Sequence, residues 1–247
     1  MKYFILILGL VFTLTTSFYL KDNTVHNAEE EKQPYSTIIS ANSDGLSVED
    51  LYKNIDFNGA NLLNIEVFEK AFTGFNNLKL SGNLNEKSKY LTICDFSLSS
   101  TQKRLWVIDM EEKKVIFNTL VAHGKNTGEE FAQQFSNQLN SYQSSLGFYI
   151  TETTYNGSNG YSLRLIGMDQ GYNDAALDRA IVMHGADYVS ESFISKQNRI
   201  GRSWGCPAVS RELAQPIIDT IKDKQCLFIY YPDDAYLQSS RWLKSIK

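Results

Sequence analysis

The spacing of apolar residues changes character several times along the chain, and each change predicts an element. From Tyr3 to Leu20 they run almost unbroken behind Lys2, as in a secretory signal or an N-terminal membrane anchor. Residues 21–45 are polar and aperiodic, with Glu29, Glu30 and Glu31 followed by Pro34, and read as a tether. At Ser47 a helical period begins. Ser47-x-x-Asp50 supplies an N-terminal cap, and Val48, Leu51, Tyr52 and Ile55 then fall on one face. Ile65, Phe68, Phe72 and Phe75 form a second amphipathic stripe, and a Phe stripe at this spacing is a core face.

From Tyr90 onward the pattern is that of strands. Tyr90–Phe96 is one, and 105–110 and 115–122 flank the charged turn 111–114 as a hairpin. Residues 147–154 and 161–166 flank a second turn signal, Asn156-Gly157. Ile181–Met183 is a short buried strand with His184 at its end, and 227–231 is the last strand. Between Ser210 and Asp223, Leu213, Ile217, Ile218 and Ile221 share a helical face, with the regular part expected to start at Pro216. The fold class is therefore mainly β with flanking helices (α+β). Expected boundaries are 1–20 for the signal or anchor, 21–45 for the tether, 46–85 for a helical segment packed on the β-rich part, 86–232 for that part, and 233–247 for a C-terminal tail.

Composition narrows the chemistry. A formal net charge of −4 argues against nucleic acid as a partner, and an aromatic content of 13% suits a β-rich domain. The apolar N-terminus implies export to the periplasm or cell envelope. Thiols outside the cytosol tend to be paired, yet the chain has three cysteines, which leaves an odd one. Cys94 and Cys226 lie in apolar strands and can pair with each other or stand as buried free thiols. Cys206 lies instead in the turn Ser203-Trp204-Gly205-Cys206-Pro207, downstream of His184-Gly185. An imidazole that takes a thiol proton makes a nucleophile, and such pairing predicts a lowered thiol pKa. Gly205 is expected to leave room beside the sulfur, and Pro207 to bias Cys206 towards an extended backbone. His123 reads as a hydrogen-bonded structural histidine and His26 lies in the tether, so neither a metal nor another cofactor is expected.

The stretches Ile181-Val182-Met183-His184-Gly185-Ala186 and Gly201-Arg202-Ser203-Trp204-Gly205-Cys206-Pro207 resemble the murein L,D-transpeptidase catalytic domain family, in its YkuD-like Gly-Arg-Ser-x-Gly-Cys-Pro branch. Asp95-Phe96-Ser97, His123 to Gly128, Phe135-Ser136-Asn137, Ser144 to Tyr149 and Asn173-Asp174-x-Ala176-x-x-Arg179 also fit, and the resemblance covers residues 46 to 232. It implies a mixed sheet curled into a β-sandwich-like fold with the site in a cleft. It also implies acyl transfer on peptidoglycan stem peptides, donor and acceptor, through a Cys206 thioester. Cys206 is then the nucleophile and His184 the base, oriented by the Gly185 carbonyl or else by Asp187. The backbone N–H groups of Gly205 and Cys206 are expected to hold the oxyanion. Two departures stand out: Trp204 replaces the motif histidine beside Gly-Cys, and Ala208 replaces an arginine after the cysteine. Arg202 becomes the candidate for the substrate's carboxylate, with Ser203, Trp204 and Tyr188, and also Tyr149, as candidate cleft residues. The rival readings are a cysteine endopeptidase with His before Cys, and a catalytically idle cell-wall-binding module.

Overall fold

The structure, a computed structural model, describes residues 47–244; the apolar stretch 3–20 and the tether 21–45 lie outside the described residues. Among the described residues no helix is long and apolar enough to cross a membrane. Helix α1 (Val48–Lys53) starts as its cap predicts, with Ser47 Oγ accepting the Asp50 N–H at 3.1 Å. Helix α2 (Ile65–Leu80) is capped by Asn64 and buries Phe68, Phe72, Phe75 and Leu78. It comes so close to the sheet that a Cβ on Gly74 would lie 2.0 Å from Cζ of Phe148. A glycine inside a helix costs about 1 kcal/mol against alanine, whereas fully burying a phenylalanine contributes about 1.5–3 kcal/mol. The close approach is therefore favourable, and Phe148 goes on to stack on Phe228 at 4.1 Å between ring centres.

Eight strands form one mixed sheet: β1 (Tyr90–Asp95), β2 (Leu105–Asp109), β3 (Lys114–Thr119), β4 (Gly147–Gly157), β5 (Gly160–Gly167), β6 (Val182–Ala186), β7 (Ala208–Ser210) and β8 (Cys226–Tyr230), in the order β3-β2-β1-β8-β4-β5-β6-β7. The pairs β1–β8 and β6–β7 are parallel and the rest antiparallel. The sheet curls until its ends nearly meet. Beyond β3 the chain peels away, and Ala122 bridges to Ala208 of β7, with Ala122 N–H donating to Ala208 O at 2.8 Å. A second bridge joins Gly124 to Ser203. The expected strand 115–122 thus divides into β3 and a seam segment, because its last residues serve the far edge of the sheet.

Other expectations are adjusted. The β4–β5 turn falls at residues 158–159, after the Gly157–Gly160 pair, and not at Asn156-Gly157; Gly160 takes the positive φ of +78° that the turn needs. Helix α4 (Arg211–Ile221) begins at Arg211, with Pro216 inside it. Ser210 caps it, and burial of Ala214, Ile217, Ile218 and Ile221 offsets the one backbone hydrogen bond that proline cannot make. Helix α3 (Glu191–Gln197) buries no side chain, so it has no apolar stripe to betray it. After residue 232, α5 (Asp234–Ser239) and a 3₁₀ turn (Arg241–Leu243) bury Tyr236 and Trp242. Asn77 of α2 donates to Trp242 O at 2.7 Å, which ties the two ends of the described chain together. Cys94 and Cys226 are both buried free thiols, offset by three positions along the β1–β8 ladder.

Candidate active site

His184 is the middle residue of β6, paired with Ser162 of β5 on one side and Ala208 of β7 on the other. Its side chain is buried and its Nδ1 lies 3.1 Å from Gly185 O. A carbonyl only accepts, so Nδ1 carries the proton and Nε2 keeps its lone pair. Burial, aided by the charge of Arg211, lowers the imidazole pKa, against a smaller opposite pull from the Gly185 carbonyl. At neutral pH the ring is therefore an uncharged base. Asp187, the alternative orienter, is held instead by Arg211, Nε to Oδ1 at 2.6 Å.

The parallel register that sets His184 beside Ala208 brings Cys206, two residues earlier, alongside Val182. The Val182 N–H points at Sγ from 3.5 Å, and the thiol faces Ala180 O at 3.8 Å. Burial raises the thiol pKa, outweighing the Val182 N–H and the charge of Arg179, which both lower it. This corrects the expectation of a lowered thiol pKa: among the described residues the sulfur's hydrogen bonds are to backbone groups and not to the imidazole. At rest both groups are neutral, the thiol through its raised pKa and the imidazole through its lowered one.

The turn carrying Cys206 is stapled from within. Ser203 Oγ donates to Cys206 O at 2.6 Å and accepts the Gly205 N–H at 3.0 Å. Gly205 N–H is thereby committed, so of the two expected oxyanion donors only the Cys206 N–H stays open among the described residues. Gly205 has φ +124°, and a Cβ there would lie 2.7 Å from Gln143 O. The glycine serves the protein's own packing rather than making room for substrate. Ser144 Oγ accepts the Gly124 N–H at 3.0 Å and donates to Gly205 O at 3.1 Å. The seam segment holds the turn from the other side, through Ser203 N–H to His123 O at 2.9 Å and Lys125 N–H to Ser203 O at 2.8 Å.

Behind the seam, the fully buried Arg104 donates from Nη2 to His123 Nδ1 at 2.7 Å, which fixes the proton of His123 on Nε2, facing Gly128 O at 3.3 Å. Burial first, and Arg104 second, push the His123 pKa down to about 3. His123 is buried and hydrogen-bonded, and it braces the segment that braces the Cys206 turn.

The remaining candidates divide. Tyr188 lines a cleft of about 320 Å³ together with His184, Gly185, Asp187, Phe193 and Arg211. Trp204 is 70% exposed and meets Tyr142 edge-on, their ring centres 5.4 Å apart. Tyr149 does not line the cleft: it is wholly buried, its hydroxyl bonded to Ser145 O at 2.9 Å. Arg202 Nη1 donates to Lys125 O, Gly128 O and Glu129 Oε1, so this end of the guanidinium is already engaged. Arg179 was legible only as part of a motif. Its Nη1 reaches Ser136 O and Ser145 Oγ, and its Nη2 reaches Ser141 Oγ and Gln143 O, which fastens the loop over Gly205 to the nucleophile's surroundings.

The L,D-transpeptidase catalytic domain family matches residues 60–230, which takes in α2, α3, α4, the whole sheet and every residue of this site. The chain belongs to that family. Among solved structures, an L,D-transpeptidase from Mycobacterium smegmatis is 12% identical over 58% of this chain and 59% of its own, with a TM-score of 0.36. An L,D-transpeptidase from Stackebrandtia nassauensis is 16% identical over 66% of each chain, with a TM-score of 0.35. The helical cell shape determining protein Pgp2 from Campylobacter jejuni is 11% identical over 65% of this chain and 57% of its own, with a TM-score of 0.38. No curated protein matches the chain. In this L,D-transpeptidase domain Trp204 stands in the exposed position of the turn, and its ring partner is Tyr142.

Proposed function

We propose that this chain is an exported cysteine acyltransferase that acts on peptidoglycan stem peptides by L,D-transpeptidation, with L,D-carboxypeptidation when water is the acceptor. The reading is carried by one observation: an imidazole whose Nδ1–H is pinned to Gly185 O sits on the strand paired in parallel with the strand that follows Cys206. Substrate docking brings the carbonyl of the third stem residue to the thiol. Nε2 of His184 takes the S–H proton as the C–S bond forms, and the oxyanion that develops is met by the Cys206 N–H. Such a donor is worth about 2.7–4 kcal/mol in the transition state. As the tetrahedral adduct collapses, His184 returns the proton to the departing amine, and the terminal D-alanine leaves a thioester on Cys206. An amine from a second stem, or water, then attacks with His184 again as base. A neutral resting pair suits this sequence, since the thiolate forms only when substrate is in place. Tyr188 lines the cleft beside His184, and Trp204 offers an exposed apolar platform beside the nucleophile. The apolar stretch 3–20 supports delivery to the envelope, either cleaved or as an anchor.

The test is intact-mass spectrometry after mixing with a stem tetrapeptide, together with measured release of the terminal D-alanine. An acyl adduct and D-alanine release are expected in wild type and in Cys94→Ala and Cys226→Ala, and absent in a folded Cys206→Ala. Activity that survives Cys206→Ala overturns the assignment. A wild-type protein that binds stem peptide without forming an adduct would instead support the idle wall-binding module.

A further inference from the structure

We infer that Arg211 is the carboxylate anchor of the subsite that holds the departing and the incoming amine. The inference rests on the acyl-transfer reading above. In that chemistry His184 protonates one amine and deprotonates the other, so both must pass through the same space beside Nε2. The amine that leaves belongs to a C-terminal residue and carries a carboxylate on the neighbouring carbon. An incoming amine of amino-acid type carries the same group in the same place. The subsite therefore calls for a cation a few ångströms from His184, on the side of the cleft.

Ala208 stands where the family pattern places an arginine two residues after the cysteine, and the structure offers four guanidinium groups around the site. Arg179 has four acceptors. Arg202 has Glu129 and two carbonyls, and Arg199 has Glu129 at 3.1 Å and Ile200 O at 3.0 Å. Arg211 differs. It is the first residue of α4, directly after β7, where the parallel pairing of Ser210 with Ala186 sets it beside the end of β6. Its stem passes over Gly185, whose Cβ, if it had one, would lie 3.1 Å from the Cα and 3.5 Å from the Cγ of Arg211. It lines the cleft with His184, and 56% of its side chain is exposed. Asp187 binds only its Nε, and among the described residues Nη1 and Nη2 have no partner. The two terminal nitrogens are the pair of donors that suits a carboxylate by two parallel hydrogen bonds. The Asp187 carboxylate cancels the net charge of the pair, so recognition comes from directed hydrogen bonds rather than from long-range attraction.

The test compares two donors in the full-length chain: a stem tetrapeptide with a free terminal carboxylate and the same peptide ending in a carboxamide. Wild type is expected to favour the acid in kcat/KM by about tenfold, the scale of one partly solvated charged hydrogen-bonded pair. Arg211→Gln should lower kcat/KM far more for the acid than for the amide, so that the acid-to-amide ratio falls to about one, with Arg211→Lys in between. An acid-to-amide ratio kept in Arg211→Gln, whatever loss the two donors share, overturns the inference and leaves the acyl-transfer reading standing. A wild type inactive on both donors overturns that reading and, with it, this inference. Calorimetric binding of the two peptides to Cys206→Ala gives a second measure without turnover: equal affinities for acid and amide also overturn the role of Arg211.

Discussion

Replacing Ser203 by alanine removes a single oxygen that serves both ends of the nucleophile turn. The hydroxyl donates to Cys206 O at 2.6 Å and accepts the Gly205 N–H at 3.0 Å, and it lies in a residue only 5% exposed. A buried backbone donor left without a partner costs about 1–3 kcal/mol, and each bond lost outright about 0.5–1.5 kcal/mol. Because the Gly205 N–H is buried and Cys206 O is freer to turn outward, a loss of about 2 kcal/mol is the expected sum. In a chain of this length each kcal/mol moves Tm by roughly 2–4 °C, so Ser203→Ala should melt about 4–8 °C below wild type. The catalytic effect should be larger than the stability effect implies. With its staple gone the turn no longer fixes the Cys206 N–H towards the oxyanion, and loss of even half that donor's contribution slows thioester formation by about tenfold. Scanning calorimetry and the rate of acyl-adduct formation by mass spectrometry measure the two effects, and Ser203→Thr, which keeps the oxygen, should recover part of both. A Tm within about 1 °C of wild type together with an unchanged acylation rate would refute the stapling argument.

The raised thiol pKa predicts that alkylation of Cys206 by iodoacetamide keeps accelerating with pH through and beyond the range of an ordinary thiol; a plateau already at pH 5–6 would mean a resting thiolate–imidazolium pair. His123 makes the other pH prediction. Its folded pKa of about 3 lies below that of an unfolded histidine, so between those values the unfolded chain binds the extra proton and stability falls as pH falls. Wild type should therefore lose about 1.4 kcal/mol per pH unit below about 6 relative to His123→Gln, which can still accept from Arg104 and donate to Gly128. Parallel denaturation curves for the two proteins at pH 5 and 7 would show that His123 is not buried neutral.

Apolar runs in the sequence locate every strand except β7: β1, β2, β6 and β8 bury nearly all of their length, and β3, β4 and β5 carry enough apolar and aromatic residues beside turn signals to be read. Residues 208–210 form a strand of only three positions, Ala208, Val209 and Ser210, too short to show a period. The candidate pair His184 and Cys206 was legible because two rare residue types stand in local motifs, each with its own glycine. The supporting chemistry was not, because it depends on which atoms are already used. Arg202 and Arg211 look alike in sequence, and both are ion-paired; only the structure tells that Arg202 spends a terminal nitrogen on three acceptors while Arg211 meets Asp187 through Nε and keeps its fork open. In the same way, the two N–H groups of Gly205 and Cys206 are equivalent until Ser203 claims one. Tyr149 could be drawn into a cleft or a core with equal ease, and the β4–β8 pairing decides for the core. The C-terminal helix and 3₁₀ turn contribute just two buried aromatics, Tyr236 and Trp242, at a spacing that fits no single repeat.

The seam where the curled sheet meets itself is joined by isolated bridges at Ala122–Ala208 and Gly124–Ser203, not by a continuous ladder. The other strand pairs of the sheet are joined by ladders of three or more residue pairs, so this is the strand contact whose amides are expected to exchange with solvent first. Opening there leaves the long hairpins and their aromatic core untouched, yet it releases His123 O and Lys125 N–H from Ser203 and so frees the segment that carries the nucleophile. Activity and global unfolding are thereby separable in this domain: warming or mild denaturant should silence the thiol while most of the protein is still native. Inactivation curves and melting curves then report on two different cooperative units of one sheet.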